Sequence, residues 1–181
     1  MAALQKHLIV DGWNVIRSDP EMGRAFAELG QDAAKKMLAA RLGPIHDAFG
    51  YRLTIVYDGR GDDISVEKVG RSATFSEVYT PSSMTADELI EQLCATSKNP
   101  KSLTVASRDN LIRLTAMGFS VESLTSSQLL EWAASASKYV ARRYSDARAE
   151  AERGWREASS PFSALGSPAS GVPKPRGRRR K

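Results

Sequence analysis

The chain has 181 residues, a length that suits one domain plus an extension. Its hydrophobic content of 41% suits a globular core, and no apolar run approaches the roughly 18 residues that a membrane-spanning helix needs. The net charge of +5 is uneven, because residues 158–181 hold six cations and no acid, which leaves −1 for the rest. Any attraction to nucleic acid must therefore come from local patches and from this basic tail.

The scarcity of cysteine and histidine limits both the compartment and the chemistry. The single cysteine, Cys94, excludes an internal disulfide framework and is typical of a reducing compartment. The first residues contain no apolar segment of the kind found in signal peptides, so we expect a cytoplasmic protein. His7 and His46 are the only histidines, which leaves little material for a Ser/His/Asp triad or a zinc site.

The first third of the chain predicts a strand, a polar stretch and a helix. The strand covers about residues 7–12 and ends at Asp11-Gly12. After the polar stretch 17–32, a helical pattern runs from about residue 33 to 49, with Asp32 as its N-cap. Gly43-Pro44 is expected to bend or break this helix.

The middle third repeats the arrangement of a strand followed by an acid and a glycine. A β-branched, apolar strand over residues 53–57 ends at Asp58-Gly59. Residues 59–72 are rich in glycine and charge and are predicted to form a loop, after which residues 75–80 form a third strand. Thr85-Ala86-Asp87-Glu88 is a capping box and predicts the start of a helix that ends before Pro100.

The last third predicts two more strands and two more helices. A fourth strand, residues 103–106, leads into Ser107-Arg108-Asp109 and then into a short helix that stops at Gly118. Residues 119–122 are predicted to form a fifth strand. A second capping box, residues 125–128, begins a long helix that we expect to reach Trp155.

Strands that alternate with helices predict a three-layer α/β/α sandwich around a mostly parallel sheet of about five strands. We therefore expect one domain over residues 1–157 and a disordered basic tail over residues 158–181. That tail is rich in Ser, Pro, Gly and Ala, and then in Arg, so it cannot bury enough apolar surface to order itself. It could bind RNA nonspecifically or act only as a solubilising extension.

Four acids follow predicted strands and should meet at the carboxyl edge of the sheet: Asp11, Asp58, Asp87 and Asp109. Ligands of open α/β sheets bind at this edge. Clustered carboxylates repel one another unless a cation neutralises them, and hard ions such as Mg²⁺ or Mn²⁺ take oxygen ligands of this kind. The reaction that fits is metal-assisted hydrolysis of a phosphodiester.

Each acid also has a purely structural interpretation. Asp-Gly is common in turns, Asp87 could be favoured by the helix dipole, and Asp109 could be an N-cap. Nucleotide binding is not favoured, because the chain lacks the glycine-rich loop that this function requires. A phosphatase of the haloacid-dehalogenase type needs an acid two residues after Asp11, where this chain has Trp13.

The segment from Leu8 to Ile16, together with residues 56–59, 78–88 and 105–109, resembles NYN domains of the YacP type, which belong to the PIN-like nucleases. The resemblance covers about residues 7–130. It implies a PIN-like fold and metal-dependent endoribonuclease activity with Mg²⁺ or Mn²⁺. Asp11 and Asp87 match the main metal ligands of the family, Asp109 a further ligand and Asn14 a further site residue, with Asp58 in support. The family usually has Ser and Asp adjacent, whereas Arg108 separates them here.

Some members of this family act on messenger RNA associated with ribosomes, so the resemblance implies RNA as the partner and the ribosome as a further one. No membrane and no nucleotide cofactor is expected. Four cations near the acids are predicted to contact RNA phosphates, with a solvated loop as the alternative: Arg60, Lys68, Arg71 and Arg108. Two other functions stay open, a PIN-like RNA- or ribosome-binding module without catalysis, and a phosphatase for a small substrate.

Overall fold

The computed structural model describes residues 5–158. The chain divides after Ala141 into two units, and the second contributes only the end of the last helix to the described residues. Residues 159–181 of the basic tail lie outside the described residues, so the predicted domain boundary at residues 157 and 158 stays a prediction. Within residues 5–158 every helix is too short or too polar to span a lipid bilayer.

The centre of the fold is a sheet with six strands among the described residues. In chain order the strands are β1 (His7–Asp11), β2 (Arg52–Gly61), β3 (Ser65–Lys68), β4 (Phe75–Pro81), β5 (Leu103–Ala106) and β6 (Glu122–Leu124). Their order across the sheet is β3-β4-β2-β1-β5-β6. All neighbours pair in parallel except β3 and β4, so the carboxyl ends of five strands share one edge.

The described residues contain six α-helices: α1 (Gly12–Ser18), α2 (Pro20–Leu29), α3 (Gln31–Phe49), α4 (Ala86–Ala95), α5 (Asn110–Gly118) and α6 (Ser126–Ala158). A short 3₁₀ helix, Pro100–Ser102, precedes β5. Alternate residues of β1 point to opposite faces, as Leu8 and Val10 pack with α1, α3 and the start of α6, and Ile9 packs with α4 and α5. This is the predicted three-layer α/β/α architecture.

The prediction of a loop over residues 59–72 was partly wrong, because this segment contains the end of β2 and a sixth strand of the sheet. β2 continues to Gly61, and residues 65–68 form the edge strand β3, which pairs antiparallel with β4. All four β3 side chains are exposed. The strand therefore lacks the buried apolar pattern that marks strands in a sequence.

The polar stretch 17–32 was also misread, because it contains α2. Asp19 caps this helix by accepting hydrogen bonds from the backbone N–H groups of Glu21 (3.1 Å) and Met22 (2.9 Å), and Pro20 occupies the first turn. An acid followed by proline is a regular helix start. The next helix, α3, then begins at Gln31 after Gly30, not at an Asp32 cap.

Gly43-Pro44 does not break α3, contrary to the prediction. A proline inside a helix costs about 3 kcal/mol. Leu38, Leu42 and Ile45 are fully buried on both sides of Pro44, and this packing holds the helix together.

The last strand lies at residues 122–124 instead of the predicted 119–122. Phe119 and Ser120 close the end of α5, where Phe119 N–H bonds to the carbonyl of Ala116 at 3.0 Å and Ser120 adopts a left-handed φ of 61°. The predicted capping boxes are both present. Thr125 and Gln128 bond reciprocally at the start of α6, as Thr85 and Glu88 do at α4.

Candidate active site

Asp11 ends β1 and is buried, with 2% of its surface exposed. Its Oδ1 accepts a hydrogen bond from the backbone N–H of Asn14 (3.2 Å), which makes it the N-cap of α1. Its Oδ2 accepts from the side-chain amide of Asn14 and from the hydroxyl of Ser107 (2.9 Å). Burial raises the pKa of Asp11 above its usual value, the hydrogen bonds from Asn14 and Ser107 oppose this, and the charge of Asp58 adds to it.

The glycine after Asp11 is required by packing. A Cβ at Gly12 would lie 2.2 Å from the ring of Tyr57, so only glycine lets α1 begin directly above this ring. The second Asp-Gly pair has an equivalent reason, since a Cβ at Gly59 would lie 2.1 Å from the carbonyl oxygen of Thr80. Both pairs therefore mark close approaches of the chain at the carboxyl edge of the sheet.

Asp58 holds the beginning of α4 against the sheet. Its Oδ1 accepts a hydrogen bond of 2.8 Å from the backbone N–H of Ala86, the first residue of that helix. This bond fixes the position of the next residue, Asp87. Asp58 thus connects the end of β2 to the start of α4, and its role in the site stays a prediction.

Asp87 lies in the first turn of α4, partly exposed, and accepts no hydrogen bond from any residue in the described range. Its pKa is raised, first by burial and then by the negative charges of Asp11, Asp109, Asp58 and Glu91. Three of the four acids singled out in the sequence, Asp11, Asp58 and Asp109, therefore repel the negative charge of the fourth, Asp87. A cation at this point would relieve the repulsion.

Asp109 is both a member of this cluster and the N-cap of α5. Its Oδ1 accepts from the backbone N–H of Leu111 (2.7 Å), and its own N–H donates to the hydroxyl of Ser107 (3.0 Å). Arg108 is exposed at the turn between them. The inserted arginine therefore leaves Ser107 in contact with both Asp11 and Asp109.

Ser107 is the residue of this site that the sequence prediction missed. It is fully buried. β1 pairs with β5 so that Val10 lies opposite Ala106, which makes the next residues of the two strands, Asp11 and Ser107, neighbours. The signal available in the sequence was the serine at the end of an apolar strand, two residues before an acid.

The acids are not arranged as a ready-made metal cage. Within residues 5–158 no three His, Cys, Asp or Glu side chains have the geometry to hold one ion. The ligand set of Asp11, Asp87 and Asp109 therefore stays a prediction. Its oxygen donors nevertheless fit Mg²⁺, which is usually held by one or two carboxylates together with water and substrate phosphates.

The four cations predicted to contact RNA fall into two places. Arg60 lies in the extension of β2 just after Asp58, and Arg108 precedes Asp109. Lys68 and Arg71 instead line a cavity of about 680 Å³ between α3 and β3, which none of the four acids lines. The contact of all four cations with RNA stays a prediction, and of the four only Arg60 and Arg108 lie within two residues of one of the acids in the chain.

Trp13 packs beneath the site. Its ring lies edge-on to Phe26 at 5.6 Å and tilted against Tyr57 at 4.9 Å between ring centroids. This tryptophan therefore supports the start of α1.

Comparison with known proteins identifies the class of domain. The family model of the YacP-like NYN domain matches residues 8–161. A crystal structure of Rae1 (YacP) from Bacillus subtilis matches with a TM-score of 0.66 and 22% sequence identity, covering 88% of this chain and 91% of that chain. A tryptophan-to-leucine mutant of the same protein matches with a TM-score of 0.65 and 22% identity, covering 81% and 86%. No protein with a curated description matches this chain.

Proposed function

Because the chain belongs to the YacP-like NYN domain family, which is nuclease-like and RNA-related, we propose that it is a metal-dependent endoribonuclease. The reaction is the hydrolysis of phosphodiester bonds within RNA, with Mg²⁺ or Mn²⁺ as the cofactor. The observation that carries this proposal is the carboxylate of Asp87, which has no hydrogen-bond donor among the described residues and is surrounded by other carboxylates. A protein that only bound phosphate would have no use for such a cluster.

Asp11 and Asp87 are the proposed protein ligands of the ion, with Asp109 contributing negative charge and a further oxygen. The bound ion would supply Lewis-acid stabilisation of the phosphoryl oxygens and an acidified water. Ser107 and Asn14 orient the Asp11 carboxylate, because they donate to its Oδ2 and hold it at the end of β1. Asp58 holds the first turn of α4, and thus Asp87, at the same edge.

Arg60 and Arg108 are the proposed contacts to RNA phosphates on either side of the acids. Both are exposed, and each lies within two residues of an acid of the cluster. Phosphate contacts of this kind position a strand without reading its sequence. Messenger RNA associated with ribosomes is the substrate class that we propose, on the family resemblance alone.

The test is cleavage of an end-labelled RNA oligonucleotide by the purified chain in Mg²⁺, in Mn²⁺ and in EDTA. We expect internal cleavage with either ion and none in EDTA. Asp87→Asn should abolish cleavage, whereas the matched control Asp63→Asn, an exposed carboxylate past the end of β2, should keep it. RNA binding without cleavage in any divalent ion would indicate the inactive binding module, and release of phosphate from a simple monoester would indicate the phosphatase.

A further inference from the structure

The amino edge of the sheet, opposite the acids, carries a cavity of about 510 Å³ whose charged lining residues are all lysines: Lys6, Lys98 and Lys101. Lys6 directly precedes β1, Lys101 precedes β5, and another lining residue, Ser120, lies just before β6. The nearby acid Glu122 accepts a hydrogen bond from Thr104 (3.0 Å) and does not line the cavity. The lining of this cavity is therefore positively charged.

A row of four aromatic rings continues from this cavity. Tyr51 meets Trp132 edge-on at 5.1 Å, Trp132 is stacked with Phe49 at 6.2 Å, and Phe49 is stacked with Tyr139 at 5.7 Å between ring centroids. Phe49 and Tyr139 are each 45% exposed. The end of the row at Phe49 and Tyr139 is therefore about half exposed.

Lys6 joins the cavity to the aromatic row. It lines the cavity, and its Nζ lies 5.6 Å from the centroid of the Tyr51 ring. A basic surface that leads onto exposed aromatic rings is the combination by which proteins hold single-stranded nucleic acid, with phosphates on the cations and bases on the rings. A folded acidic protein would use the lysines but would have little use for a row of stacked rings.

We infer that the amino edge of the sheet is a second RNA-binding site, which holds a single-stranded segment of the substrate away from the acids. This rests on the proposed function for the identity of the ligand. The five residues of β1 separate the two edges by about 17 Å at 3.3–3.4 Å per residue. The site therefore engages nucleotides distant from the scissile bond and favours long single strands over short ones.

The test is equilibrium binding of a fluorescent oligouridine to the full chain in EDTA, at several salt concentrations. The double variant Lys98→Glu/Lys101→Glu should lower the affinity roughly tenfold at 0.1 M salt and reduce the slope of log affinity against log salt by about 1.4. The matched control is Arg24→Glu/Arg17→Glu, which changes the net charge equally in α1 and α2. Equal affinities and slopes for the two double variants would overturn the inference.

Base stacking is tested separately with Phe49→Leu, which removes the ring but keeps apolar packing. We expect a several-fold loss of affinity for the RNA and no loss for heparin, while Phe119→Leu, an aromatic of similar exposure outside the row, changes neither. Loss of heparin and RNA binding to the same extent in the lysine variant, with no effect of Phe49→Leu, would show a general polyanion site instead. Because no cleavage is measured, these results stand whether or not the chain proves to be a nuclease.

Discussion

The hydroxyl of Ser107 donates a hydrogen bond of 2.9 Å to Oδ2 of Asp11, across 96 positions of the chain. Both side chains are buried. The same hydroxyl accepts from the backbone N–H of Asp109. One serine therefore connects the carboxyl ends of β1 and β5 within the acidic cluster.

Ser107→Ala should lower the rate of RNA cleavage at saturating substrate by about tenfold while changing the RNA affinity little. The reason is that Asp11 loses a donor that orients its carboxylate. The free energy of unfolding should fall by about 1 kcal/mol, the usual value for one hydrogen bond. Steady-state kinetics and urea unfolding measure the two effects. Ser135→Ala, on the exposed part of α6, is the control, and unchanged turnover in Ser107→Ala would show that Ser107 has no positioning role.

Asp87→Asn should abolish cleavage and, without metal, raise the free energy of unfolding by between about 0.2 and 1 kcal/mol. The gain arises because the charges of Asp11, Asp58 and Asp109 no longer repel this position. Thermal unfolding with and without Mn²⁺ provides a second readout, because a bound ion stabilises the folded state. We expect Mn²⁺ to raise the Tm of the unaltered chain and not that of the variant. An equal rise in both would exclude Asp87 as a ligand.

Gly12→Ala should destabilise the fold by about 1–3 kcal/mol, because the added Cβ would meet the buried Tyr57 ring. Gly43→Ala is the matched comparison. Within residues 5–158, apart from its chain neighbours and the backbone of α3 itself, no atom lies within 4 Å of a Cβ at Gly43, and this glycine is in the interior of α3. Alanine there should stabilise by about 0.5–1 kcal/mol. Urea unfolding of both variants checks the pair, and equal stabilities would contradict the packing argument.

Folding stability should depend on pH through His7. Burial, followed by the charge of Arg52, lowers its pKa from 6.5 to about 4. In the unfolded chain His7 therefore binds a proton below pH 6.5, whereas in the folded chain it binds this proton only below about pH 4. This contribution, about 3 kcal/mol at most, is complete above pH 6.5 and is lost as the pH falls toward 4.

The raised pKa values of Asp11 and Asp87 act in the opposite direction, because their folded forms hold protons more tightly. The contribution of His7 to the pH dependence is therefore measured by comparison with His7→Gln. The glutamine amide can still form a hydrogen bond with the Thr54 hydroxyl, which His7 contacts at 2.8 Å. Between pH 7 and 5 the unaltered chain should lose more stability than the variant. Parallel curves would mean that His7 has the same pKa in the folded and the unfolded chain.

The placement of the acids could be predicted because it depends only on topology. Alternating strands and helices predict parallel pairing, and parallel pairing brings the residues that follow each strand to one edge. The capping boxes could also be predicted from the sequence, since each lies within four consecutive residues. β3 could not be predicted, because all of its residues are exposed and do not show the alternation of apolar and polar residues typical of a strand.

Contacts between distant strands were the part that the sequence could not predict. The pairing of Asp11 with Ser107 depends on the register between β1 and β5, and nothing within either strand encodes that register by itself. The same holds for the aromatic row, because Phe49 at the end of α3 and Tyr139 in α6 are distant in the chain and only the packing of the two helices brings their rings together.

The position of β1 in the middle of the sheet has a consequence for the order of assembly during synthesis. β1 leaves the ribosome first, and β2 can pair with one of its sides, but its other side must wait for residues 103–106. Until then Asp11 lacks its hydrogen bond from Ser107, and Ile9 lacks its packing against α5. A fragment that ends before residue 103 should therefore show neither amide protection in β1 nor cleavage of RNA. The acidic cluster of this domain is therefore complete only after most of the domain has been made.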